Sequence, residues 1–364
     1  MGIDGPALVL GAALAVGCSA GGAQGAPDAS TDVSSKDGAG DAGTPFTLDA
    51  MRAASIAYNT KFCNAMAKCD PEILTLNYGD VATCIDADAG PADLAVWFPY
   101  GSTLTPDKLT ACAAALDLST CEKYALFAYE NQIPTACTAI SYGTLPTGAA
   151  CANNGIGTAP LWNQCDSGRC FSTGGPCGTC ADALPAGATC NGFIYCASGL
   201  GCPQGKCVPY GDVGDPCSGL GECHTYLACI GGKCVTPPAD DSCDPQYGCA
   251  VVPQFRNCDP TTRKCVSSIV GPGQPCGYPN GNNEFATLCA YPYVCTEVTA
   301  AGAEGGGADA GSFVCAPPPG LGEPCFSFGL DTGCPRGGLR QASCIDNTCT
   351  FVSAAECSSP AVPP

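Results

Sequence analysis

Histidine is almost missing from this chain: His224 is the single one among 364 residues. Chemistry that needs paired imidazoles therefore has no material. Charge is scarce too. Asp, Glu, Lys and Arg make up 13% of the chain, and 33 acids stand against 14 bases, for a formal net charge of −19. No Lys/Arg-rich stripe exists, which argues against nucleic acid and anionic membrane surfaces as partners. The chain also lacks GxSxG, HExxH and Walker-type loops, so no ready-made nucleophile, zinc-hydrolase or phosphate site can be read. It has no Asn-x-Ser/Thr sequon, which favours a bacterial over a eukaryotic secreted source. Its apolar run at the N-terminus, Pro6 to Val16 (PALVLGAALAV), is too short to span a bilayer.

What the chain has is cysteine, 33 residues of it, with 48 Gly and 32 Pro. A reducing cytosol would leave that many thiols open to oxidation, so the expected compartment is extracytoplasmic and the expected use is a disulfide framework. Gly and Pro at this level suit short turns and closed loops better than long helices or a large sheet.

The pattern is clearest in two back-to-back units, Cys190-x5-Cys196-x5-Cys202-x4-Cys207 and Cys217-x5-Cys223-x5-Cys229-x4-Cys234. Gly187 and Gly214 stand three before the first Cys, Leu200 and Leu227 two before the third, and Gly205-Lys206 and Gly232-Lys233 before the fourth. The motif Gly-x-x-Cys also opens units at Gly148, Gly273 and Gly322, and a unit at Cys243 carries Asp240 in the Gly position. A Gly at one fixed offset predicts a turn with positive φ. The first unit uses Cys151, Cys165, Cys170 and Cys180. The fourth uses Cys243, Cys249, Cys258 and Cys265, the fifth Cys276, Cys289, Cys295 and Cys315, and the sixth Cys325, Cys334, Cys344 and Cys349. Cys177 and Cys357 are left over to pair with one another or to reshuffle the terminal units. Within a unit the expected pairing is first to third and second to fourth, because crossed bridges close overlapping loops. A body of ~25 residues cannot stabilise itself by burial alone, so two bridges at roughly 2–4 kcal/mol each take over that role. Contacts are expected mainly within a unit and to the next, giving an elongated array.

Ahead of the array, residues 46–142 read as a small all-α domain. Thr47 is placed to cap a helix on which Met51, Tyr58, Phe62, Ala65 and Met66 share a face, with Asp70-Pro71 as its stop. Asp80–Asp86 and Pro91–Phe98 read as shorter helices. Thr105-Pro106-Asp107 opens another, and a further one begins at Ser119 and carries Tyr124, Ala125 and Ala128. Cys63 and Cys69 lie about 600° apart around a helix and must reach other elements, not each other. With Cys84, Cys112, Cys121 and Cys137 they make six cysteines, leaving fifteen pairings open. Trp97, Phe98 and Tyr100 are expected in the core.

The whole N-terminus is expected outside the folded body. Pro6–Val16 has the length of a signal-peptide core, and it ends in Gly17-Cys18-Ser19. Small residues followed by Cys after a Leu/Ala/Val run resemble a bacterial lipobox, although Ala15 stands where Leu is usual. The resemblance implies that residues 1–17 are removed, that Cys18 carries the lipid anchor, and that Ser19 permits outer-membrane sorting. The alternative is an ordinary secretory signal with Cys18 as an early framework cysteine. Setting Cys18 aside leaves an even number of cysteines, which favours the anchor. Met1–Gly5 has no Lys or Arg, which leaves the position of the true start open. Residues 18–45 are Gly, Ala, Ser and Asp, with almost no large side chain, and read as a disordered tether. Residues 358–364 form a tail.

This layout resembles a group of cysteine-rich predicted lipoproteins of myxobacteria. The shared features are the Gly-Cys signal, the tether, the head with FCxxxxxCDP (Phe62–Pro71) and TPDKLTACAAAL, and the GxxC array. The units at about 148–180, 187–207, 214–234, 240–265, 273–315 and 322–349 look like Dickkopf N-terminal cysteine-rich or EGF-like modules. The resemblance implies an extracytoplasmic place and modular disulfides, and no receptor or pathway.

Candidate chemistry is sparse. Cys177-Gly-Thr-Cys180 is the one CxxC, and it lacks the strand–helix context of a redox pair. C-x5-C and C-x4-C are not zinc-knuckle spacings. His224 reads as an exposed loop residue, and Asp86, Asp88, Asp240 and Asp241 as solvated turn acids. The expected protein is a non-enzymatic, lipid-anchored disulfide scaffold with a binding, adhesion or envelope role. It calls for no cofactor and no metal site, and its partners are the membrane through Cys18 and an unidentified protein or polysaccharide. A protease inhibitor presenting Pro209-Tyr210 or Arg256 is one alternative; a thiolate metal or redox protein is the other.

Overall fold

The computed structural model describes residues 47–87, 103–152, 164–167, 169–171, 177–190, 196–219, 221–246, 248–253, 255–277, 287–298, 312–325, 334, 342–345 and 347–351. The signal segment, Cys18, the tether, the Pro91–Phe98 helix with Trp97 and Tyr100, Asp88 and Cys357 lie outside the described residues, as does the side chain of Cys177.

The head begins with α1, Leu48–Cys69, capped where the Thr47 hydroxyl accepts from the Ala50 N–H at 3.1 Å. Met51, Tyr58, Phe62, Ala65 and Met66 are all buried on its inner face. Asp70-Pro71 breaks the helix without ending helical structure. α2, Pro71–Asn77, starts at once, because Pro at the first position gives up no hydrogen bond. Then come α3, Val81–Ala87, and α4, Pro106–Ala115, whose Thr105 oxygen accepts from Lys108 N at 3.3 Å. α5, Cys121–Ala128, is capped by Thr120 and not Ser119, and α6, Thr135–Ser141, follows Pro134. Phe62 is the hub of the core, its ring 5.7 Å from Tyr124 and 6.2 Å from Phe127. Three bridges staple the helices: Cys63–Cys84 ties α1 to α3, Cys69–Cys121 ties α1 to α5, and Cys112–Cys137 ties α4 to α6. Cys63 and Cys69 do reach different elements, as their angular separation requires.

The units share one construction. Each contains a short antiparallel pair: β2 (Cys170–Phe171) with β3 (Cys177–Cys180), β4 (Leu200–Gly201) with β5 (Val208–Pro209), β6 (Ala228–Ile230) with β7 (Lys233–Val235), and β8 (Arg256–Asp259) with β9 (Lys264–Ser267). After a two-residue parallel pair, β10 (Ile269–Val270) with β11 (Leu288–Cys289), come β12 (Val294–Val298) with β13 (Ser312–Ala316), and β14 (Ala342–Ile345) with β15 (Thr348–Phe351). β1, Ala150–Ala152, joins the other edge of β3. The third and fourth cysteines of a unit face each other across the hairpin, as Cys229 does Cys234, but bond elsewhere. Cys151–Cys170 with Cys165–Cys180, Cys190–Cys202 with Cys196–Cys207, and Cys217–Cys229 with Cys223–Cys234 are the first-to-third, second-to-fourth crossings expected from the spacing. Cys243–Cys258 with Cys249–Cys265 and Cys276–Cys295 with Cys289–Cys315 repeat the scheme. In the sixth unit Cys334 bonds Cys349, and Cys325 is likewise oxidised.

The Gly-x-x-Cys turn closes each knot. The N–H of Gly148, Gly187, Gly214, Gly273 and Gly322 donates to the carbonyl of the unit's fourth cysteine at 2.7–2.9 Å. Gly214 does so at φ +95°, a backbone that L side chains avoid. In the fourth unit the positive φ moves one residue on, to Asp241. Sulfur is the core of these bodies: the buried cluster of the fourth unit is Cys243, Cys249 and Cys258, with Cys265 packed against it.

The expectation of an elongated array, with contacts mainly within a unit and to the next, is corrected. The units also bind back onto the head, and Gly43–Pro364 is one compact body. Val252 of the fourth unit is buried in the core of the head, flanked by Tyr226 and Phe255. Tyr291 N donates to Thr75 O at 2.9 Å, and Ser198 Oγ to Asn131 O at 2.8 Å. Apolar faces of the helices and uncovered knots each lack partners, and docking removes both deficits.

Candidate functional site

The densest polar site lies where the head meets the second and third units, and its centre is Glu130. This residue follows Tyr129, the C-cap of α5, and the chain turns there through Asn131 at φ +54°. The Glu130 side chain is fully buried. Its Oε1 accepts from the Thr225 backbone N–H at 2.7 Å and the Thr225 hydroxyl at 2.9 Å. Oε2 lies 2.8 Å from His224 Nδ1. Its backbone carbonyl accepts from Gly199 N and Ser198 Oγ, each at 3.2 Å. One residue of the head thus holds two units by both its main chain and its carboxylate. A buried carboxylate needs this many donors, because desolvation is repaid only through them.

His224 is not an exposed loop residue. Its side chain keeps 17% of its surface, with Asp212 Oδ1 3.4 Å from Nε2. The ring packs against Tyr226 at 5.4 Å and Tyr210 at 5.7 Å. Burial and the negative charge of Glu130 push the Tyr210 phenol up to about 12, and burial with the charges of Glu122, Glu130 and Asp212 raises Tyr226.

A second polar anchor joins the fourth unit to α2. Arg256 Nε stands 3.4 Å from Glu72 Oε1, Nη1 donates to Asp241 Oδ1 at 2.9 Å, and Nη2 to Cys265 O at 2.8 Å. Burial raises the Glu72 carboxyl, while the Arg256 contact lowers Asp241. Asp240 is held at about 2 by its bond to Lys264. These two acids are ion-paired, not merely solvated, and the Arg256 guanidinium is engaged by Glu72, Asp241 and the Cys265 carbonyl, while Tyr210 packs on His224. A second fully buried acid, Asp70, accepts from the Tyr129 hydroxyl. That bond locks the α1–α2 break to the residue just before Glu130.

Chemically, Glu130 and His224 form an oriented carboxylate–imidazole pair, the arrangement that fixes a histidine's tautomer in hydrolases. No Ser, Thr or Cys nucleophile is described beside Nε2; what faces it is the Asp212 carboxylate. The framework cysteines form separate clusters, with the sulfurs of Cys151, Cys165 and Cys180, for instance, within 4.8 Å of one another. As disulfide sulfurs they carry no thiolate charge, and it is the thiolate that ligates a metal.

Nothing local marked Glu130 or His224 in the sequence, since the pair spans 94 residues. The one usable signal was a lone acid directly after an apolar helix, Glu130 behind Phe127, Ala128 and Tyr129. No family model matches the chain, and no match is found among curated proteins or solved structures.

Proposed function

We propose that this chain is a non-enzymatic extracytoplasmic binding protein, held at the outer membrane of a bacterium by a lipid on Cys18 and displaying a rigid body on the 18–45 tether. The observation that carries the reading is the set of sulfur-cored knots folded back on a stapled head. A body whose small cores are disulfides keeps its shape in an oxidising, protease-rich space and would unravel in a reducing one. Such a body suits presentation of surface loops to a protein or polysaccharide partner, in adhesion or envelope structure. Dickkopf-like or EGF-like character rests on spacing and crossed pairing alone.

Intact mass of the membrane-fraction protein, before and after reduction and alkylation, tests both halves. The expected result is no alkylatable thiol without reduction, together with the added mass of acyl chains on an N-terminal Cys18. Free thiols or bound metal would sink the framework and favour the thiolate alternative. An unacylated mature chain would sink the anchor alone.

A further inference from the structure

We propose that the junction of the head with the second and third units is a proton-operated latch, closed while the His224 ring carries a charge. Donor and acceptor accounting leads there. Glu130 Oε1 is occupied by the two Thr225 donors, so Oε2 takes the His224 Nδ1–H at 2.8 Å. A neutral ring donating from Nδ1 has its lone pair on Nε2. That lone pair would face Asp212 Oδ1 at 3.4 Å, acceptor against acceptor. A ring protonated on both nitrogens donates to Glu130 and attracts Asp212 together.

Among the described residues, both ion-pair partners of the ring are acids. Glu130 comes from the segment after α5, and Asp212 from the turn between the second and third units. Tyr210 and Tyr226 pack against the ring, and the charge of Glu122 of α5 acts on the Tyr226 phenol. Glu222 is turned away, onto Ser218 and Gln204. Among the described residues, the ion pairs of Glu130 and Asp212 are with His224. Losing the ring proton therefore leaves a fully buried carboxylate without a counter-charge, the costly way to break such a pair. Because Glu130 also holds Gly199 and Ser198, the strain reaches both units. The latch is tight while the ring is charged, and loosens as the ring loses its proton.

The test uses the full oxidised chain with [13C]histidine, whose single imidazole needs no assignment. Its titration is followed by NMR from about pH 5 to 8, the span in which imidazoles ordinarily change charge. Exchange of the Gly199 and Thr225 amides is measured in parallel, corrected for intrinsic rate. Protection at both is expected to fall about tenfold in step with the ring, the scale of one bond to a charged group. The Cys349 amide of the sixth unit should stay level. His224→Gln and Glu130→Gln, each checked for helical circular dichroism, should abolish the step. Flat protection across the ring titration, or a step that survives in either folded variant, overturns the latch. So does a step that appears only when zinc is added or removed, which would make a metal ion the closing cation.

Discussion

Removing the Cys69–Cys121 bridge should be the most damaging single change to the head, and its cost can be worked from the loop it closes. The two cysteines are 52 residues apart, the longest separation among the described bridges. In the chain-entropy account the bridge withholds 2.1 + 1.5R ln n from the denatured chain, which for this loop is ~4 kcal/mol at 25 °C. The same expression gives ~3 kcal/mol for the Cys196–Cys207 loop with its separation of 11. The native state adds to the difference. Cys69 precedes Asp70, which accepts from Tyr129, and Tyr129 precedes Glu130, so the bridge pins the strip that anchors two units. Cys69→Ala/Cys121→Ala, with every other bridge oxidised, should therefore lose about 4 kcal/mol in urea unfolding followed at 222 nm, a large share of an ordinary domain's stability. Every described α-helix lies in the head, so this signal reports on it alone. A loss below about 1 kcal/mol, or no larger than that of Cys63→Ala/Cys84→Ala, would refute the reasoning.

Three other outcomes are expected. Thr225→Val removes one of two donors to Glu130 Oε1 and should cost about 1–2 kcal/mol, read as lost amide protection at Val252, whose N–H is bonded to Thr225 O. Gly214→Ala meets open space, so its cost of about 1–2 kcal/mol should be purely conformational. Gly143→Ala would place Cβ 2.0 Å from Gln164 O, and thermal melts should show it worse than Gly214→Ala because backbone must part. In acid, Asp240 and Asp241 have pKa values lowered in the folded state, so their contribution is present above about pH 4 and fades as pH falls through the depressed values, about 2 for Asp240. Asp240→Asn should flatten that acid limb without changing the melting temperature's pH dependence near neutrality, where the residue stays ionised.

Much of the fold was legible because its rules are local. Thr47 and Thr105-Pro106 mark helix starts, since a cap needs only its own first turn. Crossed pairing is expected from the even grouping of four cysteines per unit and is what the bridges show, and the positive φ of Gly214 follows from its offset. Where the sequence reading failed, the partner was far away. His224 lacked a carboxylate at ligand spacing and found one 94 residues back, and Arg256 binds Glu72 of α2, far from its own unit in the chain. Asp70-Pro71 read as a stop because proline ends a helix from behind, while the chain used it to begin the next.

The sequence by itself determined the pieces: a helical head with a stapled core, knots built on sulfur, and the turns that close them. Each depends on residues within a few tens of positions, whose geometry covalent spacing restricts. Only the tertiary structure decided that the pieces form one body and that Val252 belongs to the core of the head. It also decided that Glu130 and the single histidine share a buried bond. Docking is chosen by which apolar and polar surfaces complement each other once folded, and spacing along the chain carries no record of that fit.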